Sequence, residues 1–216
     1  MQSAKIYYNS EEFIEKIILH VKAEFPKNAK ENALIALMSI RTPGSKQFLK
    51  KFVSNESAFA QNYLRDKIET APIERLQCLL AAGLDVNYRM PDCYFPTPLL
   101  YLTCGLKCLD EDHFSRISFL LSWGANPNDL TFDGKNSLMT WILYGSVKKY
   151  TPLLRIAQLL IRHKVNLFHK ASNNIDVFDL CNQRNSVLHN ELADFLRKEM
   201  EDQKKRLLKV AESGSK

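Results

Sequence analysis

Leu79-Leu80-Ala81-Ala82-Gly83-Leu84-Asp85-Val86-Asn87 returns as Leu120-Leu121-Ser122-Trp123-Gly124-Ala125-Asn126-Pro127-Asn128, and again as Leu159-Leu160-Ile161-Arg162-His163-Lys164-Val165-Asn166. Gly83 to Gly124 is 41 residues, and Gly124 to His163 is 39. A second phrase alternates with the first: Thr97-Pro98-Leu99-Leu100, then Gly134-Lys135-Asn136-Ser137-Leu138-Met139, then Asn174-Ile175-Asp176-Val177-Phe178-Asp179-Leu180. Leu99 to Leu138 is 39 residues, and Leu138 to Phe178 is 40. Two interleaved phrases with nearly one period are much harder to reach by chance than either alone, and a period of this size marks a repeat architecture.

Each phrase has a physical reading. Thr97-Pro98 places a capping hydroxyl before a proline in the first helical turn, where the missing N–H costs nothing. Apolar residues then recur at helical spacing: Leu99 and Leu102, Leu138, Trp141 and Ile142, Phe178 and Cys181. The Leu-Leu-x-x-Gly phrase ends a second helix, its glycine taking the left-handed conformation that stops it. His163 stands in the glycine's place in the third copy, and Asn87, Asn128 and Asn166 suit the turn that follows. The expected helix pairs are 57–69/72–82, 97–105/113–122, 136–145/152–162 and 176–183/190–200, each antiparallel.

Helix, loop, helix, Gly-Ala-Asn-Pro-Asn, then a projecting turn at Asp133-Gly134 resembles the ankyrin repeat. The usual repeat is about 33 residues. Thr97 to Gly124 and Asn136 to His163 are each 27 residues, about six more than that period implies. The extra residues fall at 104–112 and 145–152. Lengthened repeats of this kind recur in ankyrin effectors secreted by intracellular bacteria. The sequence departs from the family at its usual histidine, which is Leu100, Met139 and Asp179 here, and at its small alanine, which is Thr103 and Trp141. The resemblance covers about 57–197. It implies an all-α solenoid of about three to four degenerate repeats. It assigns 1–54 to an N-terminal helical cap, 55–200 to the repeats, and 201–216 to a charged helix end and tail.

Outside the repeats the reading is simpler. Asn9-Ser10-Glu11-Glu12 reads as a capping box for a helix to about Phe25. Residues 28–40 read as a second helix, broken by Thr42-Pro43-Gly44, with a third over 45–53. Asn55 is a candidate cap for the helix from Ser57. A long helix is expected from Glu191 to about Val210, with Leu192, Phe195, Leu196 and Met200 buried and residues 211–216 frayed.

Composition narrows the function. The chain has 216 residues, 45% hydrophobic and 25% charged, which is ordinary for a folded globular protein. Its formal charge is +6, but the excess is spread. Residues 1–70 carry 11 basic and 8 acidic side chains, 71–190 carry 12 and 10, and 191–216 carry 7 and 6. No basic stripe for nucleic acid results; Lys148-Lys149-Tyr150 and Lys204-Lys205-Arg206 read as solvated. Five cysteines with no tight framework point to free thiols in a reducing compartment. The start predicts no cleavable signal peptide, and no apolar run is long enough to span a bilayer. The reading is therefore cytoplasmic, or secreted into a host cell's cytosol by another route.

Chemistry-bearing residues are few in pattern. Cys93, Cys104, Cys108 and His113 are zinc-ligand types, but their spacing matches no zinc signature. No Gly-flanked nucleophile, HExxH or phosphate loop is present. No metal, cofactor or catalytic residue is assigned, and the protein reads as a monomer without enzymatic activity. Ankyrin arrays bind partners through projecting turns and the exposed face of the first helices, and here those places hold Tyr88, Arg89, Met90, Tyr94, Leu130, Phe132, Lys135, Tyr144 and Arg184. Tyrosine, methionine and arginine are enriched at interface cores. The expected function is to bind a protein partner, as a bacterial effector or adaptor acting on a host protein. The alternative is a small enzyme or modifying domain in residues 1–54.

Overall fold

A computed structural model describes residues 14–17, 19–20, 28–40, 42–104, 111–145 and 150–213. Among them every regular element is a helix. The expected capping box at Asn9–Glu12 lies outside the described residues, as do 105–110 and 146–149, the middles of the two lengthened connections. The chain divides into two compact units, 1–88 and 89–216.

In the first unit, helical backbone at 14–17 and 19–20 precedes α1 (Ala29–Ser39), α2 (Pro43–Asn55), α3 (Ser57–Lys67) and α4 (Ile73–Ala81). The Thr42-Pro43-Gly44 stretch starts α2 rather than merely breaking the chain. The Thr42 hydroxyl accepts from the Ser45 N–H at 3.2 Å, and the Ser45 hydroxyl accepts from the Thr42 N–H at 3.0 Å, so proline falls where a helix tolerates it. Asn55 is the last residue of α2, and Glu56 precedes α3 without a side-chain cap. Helix α1 packs against both α2 and α4. Leu34, Leu64, Leu76 and Leu79 are fully buried.

In the second unit three helix pairs follow one another: α5 (Pro98–Thr103) with α6 (Glu111–Ser122), α7 (Ser137–Tyr144) with α8 (Tyr150–Arg162), and α9 (Val177–Arg184) with α10 (Val187–Ser213). The first helices α5, α7 and α9 contact in sequence, and so do α6, α8 and α10. Thr97, Asn136 and Asp176 cap the first helices, accepting from Leu100 (3.4 Å), Met139 (3.1 Å) and both Phe178 (2.9 Å) and Asp179 (3.1 Å). The core is continuous through the layers: Leu99, Leu102, Ile117, Leu120, Leu138, Trp141, Leu160, Leu180, Leu192 and Leu196 are all buried. Trp141 satisfies its indole N–H on the Leu153 carbonyl at 3.2 Å, as a buried tryptophan must. Helix α10 begins earlier and ends later than expected, and Phe195 and Met200 are only half-buried.

The helix ends correct the register of the third copy. The Leu84, Ala125 and Val165 N–H groups reach back to the Leu79, Leu120 and Leu160 carbonyls, a six-to-one closure typical of helix C-termini. The left-handed residues are Gly83, Gly124 and Lys164, with φ of 103°, 87° and 64°. Lys164, not His163, therefore occupies the glycine position. The side chains closing the following turn are Asp85, Asn126 and Asn166, each accepting from the N–H two residues on. These replace Asn87 and Asn128 in the expected alignment.

Candidate protein-binding face of the repeated turns

In the second unit each turn is a narrow backbone loop. The Met90 N–H donates to the Pro96 carbonyl (3.0 Å), Thr131 to Lys135 (2.9 Å), and Ala171 to Ile175 (2.8 Å). Asp92, Gly134 and Asn174 take positive φ in these loops, which small or amide-bearing residues tolerate best. The first loop is two residues longer than the others, and the extra length holds Tyr94 and Phe95.

Neighbouring turns are tied to one another. The Phe132 N–H reaches the Tyr94 carbonyl at 3.4 Å, and the Arg89 guanidinium donates to the Leu130 carbonyl at 3.0 Å. Ser172 donates its N–H (3.2 Å) and its hydroxyl (3.0 Å) to the Asp133 carbonyl, and a His169 ring nitrogen bonds the Gly134 carbonyl at 2.7 Å. Below them Asn136 donates to the Asn166 carbonyl, and Asn128 to the Lys164 carbonyl, both at 3.0 Å. Backbone groups that a loop would otherwise leave to water are thus satisfied internally, and the loops form a braced ridge.

The residues expected to bind a partner divide on this frame. Phe132 is 87% exposed at its tip. Tyr94 is 40% exposed and meets Phe95 and Tyr144 edge-to-face, with centroids 4.9 and 6.4 Å away; Phe95 and Tyr144 are 5.4 Å apart. The Tyr94 and Tyr144 hydroxyls share a hydrogen bond of 3.2 Å. Burial first, and this bond second, push the Tyr94 phenol up to about 12, so it stays protonated and serves as a polar handle. Arg184 occupies in α9 the place Tyr144 has in α7, eight residues after the cap. It is exposed, and donates to the Gly145 carbonyl at 3.5 Å. Met90 is half-buried, Arg89 exposed, and Tyr88 half-buried in the first unit.

Lys135 is a correction. It was expected at an exposed tip, but it is only 8% exposed. Its ammonium pairs with the Asp133 carboxylate, whose other oxygen accepts from the Thr131 hydroxyl at 2.6 Å. The Lys135 N–H donates to the same hydroxyl at 2.9 Å. Burial lowers the Lys135 pKa. The residue braces the turn from within. Phe95 is the contact residue that sequence reading missed, because it adjoins proline with no periodicity to place it.

Other groups are accounted for by packing. His113 is buried and stacks on Trp141, centroids 6.2 Å apart. Cys104 and Cys181 are buried, and burial pushes the Cys181 thiol up to about 12. Cys108 lies outside the described residues, and among those described no three His, Cys, Asp or Glu side chains converge as metal ligands. Ser186 and His189 are 2.7 Å apart, Oγ to Nδ1, but the Ser186 hydroxyl also receives the His189 N–H at 3.4 Å. That is a reciprocal bond at the start of α10. No described helix is long and apolar enough to cross a membrane. No protein-family model matches the chain, and no curated protein matches it by sequence.

Proposed function

We propose that the chain is a protein-binding module of degenerate ankyrin-like repeats. It holds its partner on the turn ridge and the adjoining ends of the first helices. The observation that carries this reading is Phe132: a large aromatic side chain almost wholly in water, on a loop whose backbone is fixed on both sides. An exposed apolar group on a rigid support costs little entropy to dock. Tyr94, Phe95 and Tyr144 supply an aromatic surface beside it, and Arg89 and Arg184 supply forked donors, the residue types that dominate interface energetics. The partner is a protein of a eukaryotic host, on the resemblance to lengthened ankyrin effectors. Catalysis finds less support. The half-buried thiol of Cys78 lines a cavity bordered by α1, α2 and α4, with no histidine among the lining residues to act as its base.

The test is a pull-down from eukaryotic lysate followed by affinity measurement on the recovered protein. Replacing Phe132 and Arg89 together by alanine should lower the melting temperature only slightly, because Phe132 is a surface change and Arg89 gives up one exposed bond to the Leu130 carbonyl, about 1 kcal/mol. Affinity should fall by about 2 kcal/mol, some thirtyfold. A folded double variant that binds as tightly as the parent would remove the ridge from the interface.

A further inference from the structure

His189 is a buried titratable group that the binding face does not use. It lies in the first turn of α10 and is 4% exposed. The ring is held from its own turn. The His189 N–H donates to the Ser186 hydroxyl oxygen at 3.4 Å, and that hydroxyl lies 2.7 Å from Nδ1. With its oxygen already receiving an N–H, the hydroxyl gives its own proton to Nδ1. Nδ1 is then an acceptor, Nε2 carries the ring proton, and the imidazole is neutral. Nε2 is itself buried, with no hydrogen-bond partner among the described residues.

This ring sits where the terminal helix pair is fastened. Only Asn185 and Ser186 join α9 to α10, with Asn185 in the left-handed region at φ of 40°. Helix α9 packs on α7, and α10 on α8. No repeat follows, so the terminal pair is held from one side where the pair before it is held from two. Three groups meet at the joint: the Ile142 backbone near the end of α7, Arg184 at the end of α9, and His189. Arg184 also reaches the Gly145 carbonyl at 3.5 Å.

The charged and titratable groups on the surrounding elements are few. Helix α7 offers the Tyr144 phenol, α8 carries Arg155 and Arg162, and α9 carries Asp179, Cys181 and Arg184, while Glu191 follows the ring on α10. Of these only Arg184 acts on the imidazole. Burial lowers the His189 pKa most, Arg184 lowers it further, and the Ile142 backbone raises it in smaller measure. A proton on the ring would thus sit in a site closed to water, against a guanidinium, with no carboxylate to pair it.

We propose that His189 is an acid-sensitive latch: a proton on its ring loosens α9 and the start of α10 from α7 and α8, while the two pairs before them keep their packing. In the opened segment the imidazole has its ordinary value of 6.5, and in the packed segment it is a weaker base. The closed form therefore has its full stability above that value. It loses stability as pH falls through 6.5 towards the lower pKa of the packed ring. Opening also carries Arg184 away from the end of α7. If the ridge and the first-helix ends hold a partner, acid releases it; that consequence rests on the proposed function, and the latch itself does not.

The latch is measured on the full chain with no partner present. Hydrogen exchange, corrected for the intrinsic effect of pH, compares about pH 7 with about pH 5, a range in which ordinary carboxylates stay ionised. The opening equilibrium of α9 should rise about fivefold in acid, and that of α5 and α6, which include the buried His113, less than about twofold. His189→Gln stays neutral and should remove most of the rise. Ring NMR should show the Nε2–H tautomer at neutral pH and half-protonation below 6.5, moving upward in Arg184→Gln. Four results would each overturn the proposal: exchange in α9 that ignores pH, an equal rise in α5 and α6, the same rise in folded His189→Gln, or a ring that titrates at or above 6.5 in the folded chain. If His189→Gln does not fold, the parent's exchange and ring titration decide. A partner that stays bound in acid while α9 opens would overturn the release alone.

Discussion

The two units solve the same problem, burying short helices, in different ways. In residues 89–216 each helix pair is preceded by a turn that bonds to a neighbouring turn, so the polar backbone of one loop completes the next. In the first unit only the end of α4, Leu79–Leu84, carries the repeated closure, and α1, α2 and α4 border a cleft of about 530 Å³. Repetition therefore does more than copy a fold. It lets loops satisfy each other and frees tip side chains such as Phe132 from structural duty. In a repeating unit, stability is roughly a sum of each repeat and its nearest-neighbour interfaces, so one broken contact is felt by two repeats.

That contrast is sharpest in the core. Leu120→Ala removes a side chain with no exposure from between stacked helices that cannot collapse far. It should cost about 3–5 kcal/mol. Leu49→Ala truncates a side chain that is also buried, 4% exposed, but that borders the cleft between α1, α2 and α4, where the site can relax further, and it should cost about 2 kcal/mol. Urea midpoints compare the two. Trp123 and Trp141, the chain's only tryptophans, report the second unit by fluorescence, and circular dichroism follows Leu49→Ala. Equal costs would show that the cleft is as tightly sealed as the core.

The turns give the next largest effect. A Cβ at Gly134, whose φ is 79°, would lie 2.9 Å from the Ser172 hydroxyl oxygen and 3.1 Å from its backbone nitrogen. Gly134→Ala should therefore combine left-handed strain with displacement of the neighbouring turn, about 3 kcal/mol together. Gly83 has φ of 103°, but its Cβ would meet nothing within 4 Å. Gly83→Ala should cost only the strain, about 1–2 kcal/mol. Melting temperatures of the two variants test whether turn-to-turn contact, rather than glycine itself, makes the ridge rigid.

Much of this was legible in the residues, for a physical reason. Helix pairs follow from two phrases that must recur wherever a cap and a stop are needed, so Thr97 was read as the cap it is, while Asn136 and Asp176 stood in the opening phrases without being read as caps. What failed was what depends on contacts across turns. Lys135 looked like an exposed lysine beside Asp133-Gly134, yet the Asp133 carboxylate and Thr131 hydroxyl draw it inward. Phe95 joined Tyr94 and Tyr144 through an approach of residues some fifty apart, which local spacing cannot show. The cleft bordered by α1, α2 and α4 left no trace, because it depends on how helices distant in sequence pack.

The third copy offers the finest test, because two alignments of it differ by one residue. Matching Leu159-Leu160 to Leu120-Leu121 puts His163 in the glycine place, whereas the closing hydrogen bonds put Lys164 there, with φ of 64°. A lysine held left-handed is strained by about 1–2 kcal/mol, and glycine is not. Lys164→Gly should thus stabilise the protein by about 1 kcal/mol once glycine's extra unfolded-state entropy is deducted. The Asn128 bond to the Lys164 carbonyl at 3.0 Å uses backbone and survives the change. His163 does not have a positive φ and corresponds to Ala82 and Trp123 in the other copies. His163→Gly should cost about 0.5–1 kcal/mol, the usual penalty for glycine where a helical conformation is held. Opposite signs in the two denaturation midpoints are what the hydrogen-bonded register requires. Reversed signs would restore the simpler alignment and would mean that the helix α8 stops one residue earlier than its hydrogen bonds show.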